Sequence, residues 1–325
     1  MAKRKSKKQT GLLAVLIALC ALVVILVAAI ILVAKGVIGL NPSDNKDNAK
    51  ESASQSEKQE KKEKEKTERS LSVSSDSFDI TWGSELTIPV EKTGEGEITF
   101  TVSDENFASI DNGVLTPKRV GTVTVTAAFA DDPSVSASAQ VNISPLIEEI
   151  DGVTYVNNIL IANKSYGLPG DFGGYNDEAD AAFDEWADAA AAEGLNIYVS
   201  SGYRSYDTQY AIYWREYDEY GFDYVEGSTA RPGFSEHQTG LAFDLNSISM
   251  AFEDTDEFAW CIEHAHEYGF ILRYPEGKTD ITGYMYEPWH FRYIGDAAAD
   301  VYASGLTLEE YLGIDSAYKT NEVYR

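Results

Sequence analysis

Residues 11–34 are apolar throughout and carry no charged side chain, while Lys3, Arg4, Lys5, Lys7 and Lys8 stand immediately before them. At about 1.5 Å per helical residue such a run crosses the roughly 30 Å hydrocarbon core of a bilayer. The basic cluster keeps residues 1–10 cytoplasmic and sends the rest of the chain outside. A cleaved leader would have a shorter apolar core ending in small residues, whereas this one continues through Ile30, Ile31, Leu32 and Val33. A lipid-modified cysteine would follow a small residue, but Cys20 follows Leu19 in mid-run. The expectation is an uncleaved, single-pass anchor in the cell membrane with an extracellular folded part.

Residues 35–70 are rich in Lys, Glu and Ser and nearly devoid of apolar side chains from Asn41 onward. They cannot bury enough surface to offset the entropy of ordering, which predicts a charged, disordered linker. The chain has 26 basic and 53 acidic side chains, net −27, and more than half of the basic ones precede residue 71. The extracellular part is therefore strongly acidic, which argues against nucleic acid as a partner. Cysteine usage is sparse: Cys20 falls in the apolar run, so Cys261 is left without a partner and reads as a buried helix residue.

Over residues 71–145 apolar side chains recur every second position. Val123, Val125, Ala127 and Phe129 alternate with threonines, and Val135, Ala137, Ala139, Val141 and Ile143 alternate with polar residues. Ile98, Phe100 and Val102 make a third set, and Leu86, Ile88 and Val90 a fourth, with Asp111-Asn112-Gly113 as a turn. Short half-buried strands at this spacing predict a small β-sandwich. The stretch from Ser103 to Phe129 resembles the bacterial immunoglobulin-like domains of surface proteins. No catalytic constellation appears in it, which favours a stalk.

From residue 147 to the end at 325 the pattern is mixed. Asn176 caps a predicted helix that opens with Asp177 and Glu178, stops at Gly194, and carries Ala179, Phe183, Trp186 and Ala190 as its apolar stripe. Further helices are expected over about 207–220 and 256–268, and strands over 195–200, 242–246 and 290–294.

The chain holds only four histidines. His237 opens a segment closing in Leu241-Ala242-Phe243-Asp244-Leu245, where strand alternation sets Asp244 on the face opposite Phe243. A carboxylate between apolar neighbours should be buried and therefore needs a cation or donors. His290 follows Glu287 by three residues and enters another apolar strand. Two imidazoles and one carboxylate hold Zn²⁺ with a fourth position open, as hydrolytic zinc sites require. Glu287 is then available as a base beside the attacking water. His264 and His266 lie two apart on a helix, face different ways, and read as surface or packing residues. The stripe Tyr206, Tyr210, Tyr213, Tyr217 with Trp214 reads as packing.

Ser201–Ser205 (SGYRS), Ser235–Asp244 (SEHQTGLAFD) and the blocks YGFILRYPEGK and TGYMYEPWHFRYIG resemble the VanY-type D-alanyl-D-alanine carboxypeptidases, zinc peptidases acting on peptidoglycan. The likeness runs from about residue 147 to 313, with the blocks in the family's order. It implies an α+β zinc peptidase domain, an antiparallel sheet with flanking helices, behind the immunoglobulin-like sandwich and the transmembrane helix. It implies one Zn²⁺ per chain on His237, Asp244 and His290, with Glu287 as catalytic base. Arg204 matches the arginine that binds substrate and steadies the developing oxyanion. Gln209 and Ser235 belong along the substrate cleft in relatives, Ser235 being equally readable as a turn residue. Trp289 is either an apolar wall of the cleft or core, and Gly240 permits close backbone approach.

The expected activity is removal of the C-terminal D-alanine from peptidoglycan stem peptides. Alternatives are L,D-carboxypeptidase action on tetrapeptides and endopeptidase action; a different class is a wall-binding or sensor module. Glu287 separates them, because a binding module has no need of a base. Oligomeric state is not legible in the sequence.

Overall fold

The computed structural model describes residues 69–320 together with 322 and 323. The expected tail, anchor and nearly all of the linker lie outside the described residues. Among the described residues no helix is long and apolar enough to cross a membrane.

The first part is all β. Its strands are β1 (Ser70–Val73), β2 (Ser77–Thr81), β3 (Leu86–Thr87), β4 (Val90–Thr93), β5 (Ile98–Val102), β6 (Ala108–Asp111), β7 (Val114–Pro117), β8 (Gly121–Phe129) and β9 (Asp132–Ser144). They form sheets of order β2-β9-β8-β5 and β3-β7-β6, with β1 paired to β4. The alternation read from the sequence sets the inner faces: Val123, Val125, Val141 and Ile143 from the larger sheet meet Ala108 and Leu115 from the smaller one in a single core. On the outer face the Thr126 and Ser138 hydroxyls lie 2.8 Å apart across β8 and β9. The Asn112-Gly113 turn has φ of 49° and 82°, the two positive values that a tight β6–β7 hairpin needs. One expected strand divides. Leu86 falls in β3 and Val90 in β4, which belong to different sheets. Pro89 between them has no N–H to give to a ladder, so pairing breaks there and the chain changes sheets.

A three-stranded antiparallel sheet follows, β10 (Ile147–Ile150), β11 (Val153–Val156) and β12 (Ile159–Ile161). It is followed by helix α1 (Asp177–Ala192), strand β13 (Val199–Ser201), helices α2 (Tyr206–Tyr220) and α3 (Phe222–Ser228), strand β14 (Ala242–Leu245), helix α4 (Asp256–His264), strand β15 (Phe270–Leu272), helix α5 (Thr279–Thr282), strand β16 (His290–Tyr293), and helices α6 (Ala297–Ser304) and α7 (Leu308–Leu312). The four later strands make an antiparallel sheet of order β13-β14-β16-β15.

One face of that sheet is the core. Asn176 accepts from the Ala179 N–H at 2.9 Å, and α1 buries Ala179, Phe183, Trp186 and Ala190, the stripe read from the sequence. Trp186 stacks on Phe270 at 5.1 Å and meets the edge of Phe291 at 5.3 Å, while Phe183 sits edge-on to Phe243 at 5.6 Å. Each such aromatic contributes about 2–3 kcal/mol through burial. Cys261, fully buried in this core, is a packing residue as expected.

Two element boundaries differ from expectation. The strand expected over 195–200 is regular only from Val199, because Asn246 at φ 50° takes over the pairing: its side chain accepts from Tyr198 N and donates to Asn196 O. The helix expected over 256–268 is α4, which ends at His264 and tightens into a 3-10 turn, Ala265–Tyr268, before Gly269 closes it at φ 82°.

Candidate metal centre

The opposite face of the same sheet carries the chemistry. Asp244 on β14 pairs in register with His290 on β16, so the ladder itself sets the two side chains next to each other. Phe243 opposite Phe291 fills the other face and fixes which way the strands turn. His237 comes from a 3-10 turn, Glu236–Thr239, that enters β14 through Gly240 at φ 71°. A Cβ on Gly240 would lie 2.2 Å from the Gly174 carbonyl oxygen, so the close approach expected there is real.

His237, Asp244 and His290 are all buried, and each offers a ligand atom within 4.8 Å of the others. The ring nitrogens are distinguishable. His237 Nδ1 lies 2.8 Å from the Gly202 carbonyl oxygen, to which it donates, leaving the Nε2 lone pair 3.3 Å from Asp244 Oδ2. His290 faces the cluster with Nδ1, 3.3 Å from Asp244 Oδ1 and 3.5 Å from Glu287 Oε2; its Nε2 points away, 3.4 Å from Glu236 Oε2. Asp244 Oδ1 is buried with no hydrogen-bond partner. A buried carboxylate with one orphaned oxygen, flanked on its two oxygens by two imidazoles, is the donor set of a zinc ion, and the residues fit one.

The electrostatics follow from burial and from this crowding. Burial opposes ionisation of Asp244, but His237 and His290 beside it hold its carboxyl well below the usual range. Burial pulls His237 down. Burial also opposes charge on His290, yet the carboxylates of Asp244, Glu236 and Glu287 around it raise it to about 9 in the zinc-free site. Glu287 goes the other way from Asp244: burial pushes it up to about 8, and the Asp244 charge adds to the effect.

All of the expected site residues line one cleft of about 490 Å³: Arg204, Gln209, Ser235 and Trp289 as well as Glu287 and the three ligands. Arg204, in the bend before α2, has a partner that the resemblance did not imply. Its Nη2 donates to Asp244 Oδ2 and lies 3.0 Å from His237 Nε2, because the buried carboxylate draws the nearest fixed cation. Ser201 Oγ, at 2.9 Å, and Gln209 Oε1, at 3.4 Å, hold the rest of the guanidinium, and Gln209 is itself tied to the Ala230 carbonyl oxygen. Ser235 immediately precedes the 3-10 turn, without a side-chain cap bond to it, and lines the cleft. Trp289 likewise packs on the core and lines the cleft.

His264 and His266 lie elsewhere. The first faces Glu267 at 3.2 Å, and the second stacks on Tyr302 at 3.9 Å. Tyr213 and Trp214 are buried in a small aromatic cluster with Tyr210 and Tyr217, which makes their stripe packing. Sequence reasoning passed over Glu236, Arg273 and Arg292, which lie buried directly behind His290. A signal existed for Arg292: two residues after His290 on a strand, it shares that face and needs a buried carboxylate.

Residues 174–296 match the VanY family, described as D-alanyl-D-alanine carboxypeptidase. YodJ of Bacillus subtilis (strain 168), named provisionally as a carboxypeptidase, is 39% identical over 196 residues, covering 51% of this chain and 72% of YodJ. A D-alanyl-D-alanine carboxypeptidase of Enterococcus faecalis (strain ATCC 700802 / V583) is 41% identical over 138 residues, 39% of this chain and 52% of that protein, so the chain spans about half its length. Two solved structures each have a TM-score of 0.50. The LdcB LD-carboxypeptidase, whose structure is described as revealing the basis of peptidoglycan recognition, is 37% identical over 54% of this chain and 98% of its own. The L,D-carboxypeptidase DacB from Streptococcus pneumoniae is 36% identical over 55% of this chain and 100% of its own.

Proposed function

The chain belongs to the VanY carboxypeptidase family and is a zinc metallopeptidase, and from that premise we propose that it trims the C-terminal D-alanine of peptidoglycan stem peptides from an anchored position outside the cell. The observation that carries the reading is Glu287, a buried carboxyl 3.5 Å from a ligand histidine and open to the cleft. When bound, zinc supplies Lewis-acid chemistry, polarising the scissile carbonyl and making water nucleophilic near neutral pH. Glu287, as its carboxylate, takes the proton of the attacking water and delivers it to the departing amine. Arg204 presents a fixed positive fork to the substrate carboxylate or the developing oxyanion, with Ser201 and Gln209 setting its plane. Trp289 walls the cleft on its apolar side.

D,D-cleavage of pentapeptides is the first reading, since the matching family is described by that activity. L,D-cleavage of tetrapeptides is the second, favoured by two L,D-carboxypeptidases matched along nearly their whole length. The all-β part is proposed as an immunoglobulin-like stalk, and residues 11–34 as a transmembrane anchor.

Mass spectrometry of penta- and tetrapeptide muropeptides after incubation decides between the bonds. Glu287→Ala should slow D-alanine release by roughly 10²–10⁴-fold while the protein still binds zinc. Undiminished release by this variant, or by enzyme stripped with a chelator, would sink the mechanism.

A further inference from the structure

Behind the cleft lies a closed group of charges that the chemistry above does not use. Glu236, Arg273, Arg292 and Glu309 are each between 0 and 2% exposed, two cations balancing two anions. Arg273 reaches Glu309 with Nη1 at 2.8 Å and Nη2 at 2.5 Å, and Glu236 with Nε at 2.8 Å. Arg292 Nη1 donates to the same Glu236 oxygen at 2.9 Å, while its Nη2 reaches the Leu160 carbonyl oxygen on β12. Asn163 holds Glu309 from the other side at 3.0 Å.

The two oxygens of Glu236 do different work. Oε1 is taken by both arginines, and Oε2 is left facing His290 Nε2 at 3.4 Å. An ionised carboxylate only accepts hydrogen bonds, so the nitrogen it faces must carry the proton. A zinc-ligating imidazole is neutral and has one N–H, and placing it on Nε2 leaves the Nδ1 lone pair aimed at the cluster with Asp244 and His237. We propose that Glu236 is a positioning residue that fixes His290 as the Nε2–H tautomer, and that Arg273, Arg292 and Glu309 lock its carboxylate in that duty. This rests on the reading of His290 as a zinc ligand. It brings α7 into the site, since Glu309 on that helix closes the group from 73 positions beyond Glu236.

The division of labour makes a chemical prediction that a merely structural ion pair does not. In Glu236→Gln the two arginine donors claim the amide oxygen, so the NH₂ group turns to His290 Nε2. The ring must then accept at Nε2 and carry its proton on Nδ1, where the lone pair is needed. Zinc affinity, measured by competition with a chromophoric chelator, should fall about 10–100-fold in this variant. Long-range nitrogen–proton correlation spectra of the zinc-loaded native protein should show His290 bound through Nδ1 and protonated on Nε2. That measurement needs no variant and so survives a Glu236→Gln chain that fails to fold. Coordination through Nε2, or unchanged zinc affinity in a folded Glu236→Gln protein, overturns the proposal. A native protein that binds no zinc overturns the zinc reading as well, and the two failures are thereby distinguished.

Discussion

Glu287 and Asp244 are two carboxyls in the same buried cluster, yet their environments drive them in opposite directions. Asp244 has imidazoles and a guanidinium against it; Glu287 has burial and the Asp244 charge, which in the zinc-free protein raise it to about 8. Separation of this kind is how one site supplies both a ligand and a proton carrier. It also carries a stability consequence for the zinc-free protein. The folded value of Glu287, about 8, lies above the ordinary 4.5. Its favourable contribution is therefore complete below the ordinary value and is lost as pH rises through the folded one. Glu287→Gln has no charge to bury. In chelated protein the variant should match the native chain near pH 4 and exceed it at pH 9, by on the order of a few kcal/mol. Urea unfolding at the two pH values measures the gap; a native chain as stable as the variant at pH 9 would show that burial does not govern Glu287. The same substitution removes the proton carrier, so stability and turnover should move oppositely.

At the scale of elements, the site depends on a turn and two strands held to a common frame. Gly240 ends the 3-10 turn of His237 and starts β14, with φ of 71° and the Gly174 carbonyl where a Cβ would be. Gly240→Ala should lower stability by about 1–3 kcal/mol and weaken zinc binding, since the turn must shift His237 away from Asp244. Thermal unfolding with and without zinc tests it; an unchanged zinc-induced shift in melting temperature would mean the turn accommodates the methyl. Local patterns of this kind are what the sequence makes legible. Asn176, its acidic first turn and the Ala179–Ala190 stripe specify α1 without help from elsewhere, and Leu241–Leu245 shows by alternation which face Asp244 must take. The β10–β12 meander carried turn signals, Asp151-Gly152 and Asn157-Asn158, all four at positive φ, but its strands are too short for periodicity to stand out. Glu236 was less accessible still. Its partners lie 37, 54 and 56 positions away, so that the burial of one charge explains another only once the sheet has brought them together.

At the scale of the whole molecule, the acidic folded part and the proposed anchor are two halves of one expectation about where the substrate is met. A net charge of −27 gives the chain as a whole no attraction to an anionic bilayer, so the proposed membrane residence rests on residues 11–34. An uncharged run of that length partitions irreversibly on the time scale of catalysis. The full chain should remain with membranes through a high-salt wash, which strips electrostatic adherents, and should be released only by detergent. A chain lacking residues 1–34 should be found in the soluble fraction with the same kcat on free muropeptides, because the cleft and its ligands all lie after residue 200. The two should part company on stem peptides displayed on the lipid vesicles that carry the full chain. Confinement to the surface raises the effective concentration of enzyme seen by a lipid-linked substrate, with gains of 10²-fold within reach and no new contact at the cleft. Comparing D-alanine release from lipid-linked and free stem peptides, at matched enzyme, isolates that contribution. Equal ratios for the anchored and truncated chains would show that the anchor does nothing for catalysis, and a full chain washed off by salt would remove the anchor itself.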